Sequence, residues 1–90
     1  MLLVNMQIVI DLPYAQTLKG RRKILNSIKE KLKKNNLSIL DLSREYVKEA
    51  ELVIAFLTLN QKEQAKKIET MEKLLDSYYE IEYQIDYEIL

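Results

Sequence analysis

The residues best equipped for chemistry in this chain are cations gathered in one stretch: Lys19, Arg21, Arg22 and Lys23, then Lys29, Lys31, Lys33 and Lys34. Between Thr17 and Lys34 these eight bases meet the single acid Glu30, a local net charge of +7. The first four fall where a helix starting after Thr17 offers free backbone N–H groups and the positive end of its dipole. Cations at that end are locally unfavourable, so their concentration there points to an external anion. The phosphate backbone of RNA is the functional reading, with Lys19, Arg22, Lys23, Lys29 and Lys33 as the expected contacts. The competing reading is a solvated face neutralised by acids such as Glu45, Glu49, Glu69 or Glu72.

Arg21 stands apart, because helical spacing from Leu18, Leu25, Ile28 and Leu32 places it on the apolar side of that helix. A guanidinium there needs a partner. Asp41, expected at the end of the second strand and at the same edge of the sheet, is the carboxylate positioned to supply it in a structural ion pair.

Parts for catalysis are scarce. The chain has no His, no Cys and one Gly, so it offers no thiolate or imidazole for nucleophilic attack or transition-metal ligation, no phosphate-binding loop and no dinucleotide fingerprint. Glu80 and Glu82 are expected on one exposed strand face, surrounded by water rather than by a low-dielectric pocket. The tyrosines Tyr79, Tyr83 and Tyr87 read as packing at the rim of a core rather than as a stacking surface. We therefore expect no catalytic residues, no metal and no cofactor.

The elements that must position these groups follow from periodicity. Leu2, Val4, Met6, Ile8, Ile10 and Leu12 alternate with polar residues, predicting a half-buried strand that Pro13 stops. Thr17 is the expected N-cap of helix one, which Asn35-Asn36 ends. Leu37 to Ser43 predicts a short strand, and a charged connection, Arg44 to Glu49, leads to the apolar run Leu52 to Leu57, a central strand. Asn60 with Glu63 resembles a capping box and starts helix two, whose expected apolar stripe is Ala65, Ile68, Met71, Leu75 and Tyr78. From Tyr79 to Ile89 strict alternation predicts the last strand. The order β-α-β-β-α-β predicts an α+β, ferredoxin-like sandwich: a four-stranded antiparallel sheet with two helices on one face. At 90 residues, one domain spanning 1–90 is expected.

Three blocks carry a family resemblance. Thr17-Leu18-Lys19-Gly20-Arg21-Arg22-Lys23, Asn36-Leu37-Ser38-Ile39-Leu40-Asp41-Leu42 and Ala50-Glu51-Leu52 resemble, in order and spacing, the S-L-K-x-[KR]-R-x, F-N-V-S-V-A-E-V and W-x-[RK]-A-x-L patterns of the YlxP-like family, a bacterial domain of unknown function. The resemblance covers nearly the whole chain, and its first block is the most specific. It implies a ferredoxin-like fold, no established activity and an association with the ribosome or translation. Gly20 departs from the pattern where an acid would complete a capping box with Thr17. Asn35 and Val47 replace expected aromatics, which thins any stacking surface near the second and third strands.

Overall charge is balanced, with 14 basic and 14 acidic residues, but it is unevenly spread. Tyr79 to Leu90 holds Glu80, Glu82, Asp86 and Glu88 with no base. With Asn5, Gln7, Val9 and Asp11 beside these acids, the open sheet face is expected to repel RNA and to suit a basic partner or a second copy of the chain. No segment reaches the ~20 apolar residues of a membrane span, and the first residues lack the marks of a signal peptide, so a cytoplasmic location is expected. Two functions remain in view: a non-enzymatic accessory protein touching RNA, on the ribosome or its precursors, through the basic face of helix one; or a homodimeric interaction module using the open sheet face or an edge strand, the latter suited to so small a domain without disulfides.

Overall fold

The period-2 pattern at the start of the chain becomes β1, Leu2–Asp11, and the 3.6-residue stripe after Thr17 becomes α1, Leu18–Lys33. They are followed by β2 (Ser38–Asp41), β3 (Glu49–Thr58), α2 (Gln61–Asp76) and β4 (Glu82–Ile89). The structure, a computed structural model, describes residues 1–44 and 48–90. Glu45 and Val47, named above as a neutralising acid and a family departure, lie outside the described residues.

The four strands form one antiparallel sheet in the order β2-β3-β1-β4. The long central pair β1 and β3 runs in register from Leu2 opposite Thr58 to Asp11 opposite Glu49. Alternate residues on one face of this pair, including Met6, Ile8, Leu52 and Ile54, are sealed under both helices. Leu25, Ile28 and Leu32 from α1 and Ile68, Met71 and Leu75 from α2 complete the core. Burying each such side chain contributes roughly 1.5–3 kcal/mol, which makes this layer the main source of stability.

Both helices start where the sequence places a cap. Thr17 Oγ1 accepts the Gly20 amide at 3.0 Å and Asn60 Oδ1 accepts the Glu63 amide at 2.9 Å, each satisfying a donor that the first turn leaves free. Past the end of α1, Asn36 takes the left-handed conformation (φ 56°) that Asn tolerates and that turns the chain toward β2.

Several boundaries differ from the sequence expectation. β4 begins at Glu82, because it pairs only with β1 and that pairing ends with Asp11 opposite Glu82. Tyr79 and Glu80 therefore lie in a turn rather than on the strand, and Tyr79 is 89% exposed instead of packed at the core rim. Tyr87 is on the helix side of β4 but half exposed, beyond the cover of the helices. In α2 the buried row is Gln64, Ile68, Met71 and Leu75, so Ala65 faces solvent. Among the described residues no helix is long and apolar enough to cross a membrane.

Candidate nucleic-acid interface

At 3.6 residues per turn, Arg22, Lys29 and Lys33 line the side of α1 that overlooks β2, and Lys19 and Lys23 continue that surface toward solvent. Lys19, Arg22, Lys23 and Lys33 are exposed. Within the described residues only two ion pairs form within 4.0 Å, Lys29 with Asp41 and Lys73 with Glu69. Glu69 is thus engaged within α2, Glu49 belongs to the open face of β3, and Glu72 makes no ion pair among the described residues. Four of the five expected phosphate contacts accordingly stand exposed along one side of α1 with no ion pair among the described residues, the exposed Glu30 lying between Lys23 and Lys33.

Lys29, the fifth, is held rather than free. Its Nζ donates to Asp41 Oδ2 at 3.0 Å, while Asp41 Oδ1 accepts the Ser43 amide at 2.8 Å. Burial pushes the Asp41 carboxyl up, but the Ser43 hydrogen bonds and the Lys29 ammonium together outweigh it and leave the group below its ordinary value. The expected Arg21–Asp41 pair is not formed. Arg21 is buried, as its place on the apolar stripe requires, yet its Nη2 donates to the Arg44 carbonyl at 2.8 Å instead. β2 explains the difference: its four residues return only about 13 Å along a helix that rises ~1.5 Å per residue, so Asp41 meets the middle of α1.

Between α1 and the end of β2 a cleft of about 340 Å³ opens, lined by Arg21, Arg22, Asn26 and Lys29 on one side and Asp41, Ser43 and Arg44 on the other. Arg44 and Asn26 were not among the expected site residues. Arg44 reads in the sequence as part of a charged connection, and only the return of β2 against α1 brings it to the cations of the helix. On the α2 side, Lys31 lies 4.8 Å from the centre of the Tyr78 ring, and the Tyr78 hydroxyl hydrogen-bonds Ser27 at 2.7 Å. This cation–π contact ties Lys31 to the helix–helix seam and away from the basic surface.

The opposite face of the sheet has the opposite character. Asp11, Glu49, Glu51, Glu82, Asp86 and Glu88 all project there with no base among the strand residues of that face. Asp11 stands directly between Glu49 of β3 and Glu82 of β4. Between the acids runs an apolar band, with Leu57 57% and Leu40 59% exposed beside Val53 and Ala55. The molecule is thus basic along α1 and acidic across the uncovered sheet.

The element order, the four-stranded antiparallel sheet and the two helices packed on it define a ferredoxin-like α+β protein. The chain belongs to the family described as "Protein of unknown function (DUF503)", which it matches over residues 3–88. Among solved structures it is similar to the de novo designed protein Foldit4, with 15% sequence identity, a TM-score of 0.61 and 96% of each chain covered. It is also similar to LFR1 1, a de novo design with ferredoxin fold, at 14% identity and a TM-score of 0.60, covering 99% of this chain and 85% of that one. No curated protein matches the sequence. The likeness to both designs shows the fold alone.

Proposed function

We propose that this protein is a non-enzymatic accessory protein of the cytoplasm that contacts RNA, on the ribosome or its precursors, through the exposed basic face of α1. The observation that carries the reading is the unpaired set Lys19, Arg22, Lys23 and Lys33, presented together on one helix with no ion-pair partner among the described residues. Such a surface reads no sequence; it neutralises phosphates and positions the protein. The acidic sheet face supports the same orientation, since it turns a phosphate backbone away and leaves α1 as the side of approach.

The test is the salt dependence of binding to a single-stranded RNA followed by fluorescence anisotropy. Four neutralised phosphates give a slope of log Kobs against log salt of about −3, and a loss of roughly 50-fold between ~50 and ~200 mM salt. An affinity unchanged up to ~0.3 M salt contradicts the reading.

A second reading, a homodimeric interaction module, is favoured by the exposed aliphatic band on the open sheet and by β4, an edge strand whose Tyr87 and Ile89 are left uncovered. Its check is sedimentation equilibrium at tens of micromolar, where a dimer supports it and monomer alone removes it.

A further inference from the structure

We propose that the cleft between α1 and the end of β2 is a phosphate-binding site, with Arg21 as its buried anchor and Arg22, Lys29 and Arg44 around it. The inference rests on the RNA reading above and deepens it by naming where one phosphate of the bound chain is held.

Arg21 carries the case. It is 6% exposed, and a guanidinium so buried is ordinarily held by a carboxylate. Among the described residues it has no carboxylate within 4.0 Å, its one side-chain hydrogen bond is to the Arg44 carbonyl, and its Nε is buried without a hydrogen-bond partner. The fork is under-satisfied for a group with five donors and a full charge.

The cleft it lines offers no internal remedy. Asp41, the one acid among the described residues that line it, is committed to Lys29 at 3.0 Å and to the Ser43 amide at 2.8 Å. Among the described residues, four cations and one carboxylate line the cleft, a local charge of +3. Lys29 is fixed in place by that pair, Arg22 is exposed at the mouth, and Asn26 adds an amide donor. A volume of about 340 Å³ accepts a phosphate group with its first waters. Planar guanidinium forks on two sides suit the several oxygens of a phosphate better than a single ammonium would. A phosphodiester of RNA and a free phosphate share this chemistry.

The experiment uses the full chain with inorganic phosphate as probe, against chloride at matched ionic strength, read by isothermal titration and thermal melting. A single site is expected, with Tm raised by roughly 15 °C at a free phosphate concentration ~100 times Kd. Arg22→Gln is expected to weaken phosphate about tenfold, and Arg21→Met to abolish binding while the circular dichroism spectrum stays that of the wild type. Should Arg21→Met fail to fold, Arg22→Gln and Lys29→Gln decide the question. Phosphate acting no differently from chloride, Arg21→Met binding undiminished, or an equal loss from Lys62→Gln on α2 overturns the site. The RNA arm separates the two readings. RNA bound equally by wild type and Arg44→Gln, which alters the cleft and leaves the exposed cations of α1 intact, removes the cleft and leaves the basic helix, whereas phosphate bound without RNA keeps the cleft and removes RNA as its source.

Discussion

Asp41 is the residue whose perturbation reports most on how the basic side of the molecule is assembled. Its carboxylate meets Lys29 at 3.0 Å, with the two side chains 30% and 24% exposed respectively, and it accepts the Ser43 amide at 2.8 Å. A pair so shielded belongs at the upper end of surface ion pairs, about 1 kcal/mol, and the lost amide bond adds about 1 kcal/mol more. Asp41→Ala is therefore expected to destabilise by about 2 kcal/mol, a fall in Tm of roughly 10 °C for a domain of this size. Double-mutant cycles apportion the loss: urea unfolding of Asp41→Ala with Lys29→Met should show about 1 kcal/mol of coupling, and Asp41→Ala with Arg21→Met, which share the cleft but no ion pair, should show clearly less. Coupling of Arg21 to Asp41 as large as that of Lys29 would refute the arrangement and restore the ion pair that the sequence suggested.

Asp11→Thr is expected to raise stability by about 0.5–1 kcal/mol, more at low salt, because it removes like charges directly opposite Glu49 and Glu82; an unchanged or lowered urea midpoint would count against this. The pH profile of stability should fall at both ends. The Asp41 carboxyl is lowered from 3.8, so its contribution is present above that pH and is lost as pH falls through the lower folded-state value, and Asp41→Asn should flatten that acid limb. Tyr83 is pushed from 10.0 up to about 12, first by burial and then by its hydrogen bond to Asp76 and the charges of Asp76 and Glu72. Its contribution is complete below pH 10 and is lost as pH rises toward about 12, so Tyr83→Phe should flatten the alkaline limb; an alkaline limb unchanged in that variant would refute the assignment.

Most of the fold is legible in the sequence because burial imposes periodicity. β1 shows period 2 and α1 shows the 3.6-residue stripe without interruption, and even Arg21 is placed correctly on the buried side. Boundaries set by a partner strand are not legible in the same way. Tyr79 and Ile81 continue the alternation of β4, yet the strand can extend only as far as β1 pairs with it, to Glu82. Ala65 misleads because a small side chain is a weak burial signal, and the helix row that turns inward instead includes the polar Gln64. At the site, the charged surface of α1 can be read from spacing alone. Which cation takes Asp41 cannot, because that depends on how far the four residues of β2 travel back along the helix. Arg44 enters the cleft for the same reason, and no local pattern in the sequence marks it.

Co-sedimentation with purified ribosomal subunits at low and high salt, wild type beside a variant carrying Lys19→Glu, Arg22→Glu and Lys23→Glu, tests most directly whether α1 carries an RNA contact. Binding at low salt that weakens steeply with added salt and is lost in the variant is the expected result. No binding at any salt, or equal binding by the variant, would contradict it and make the homodimeric module the leading account.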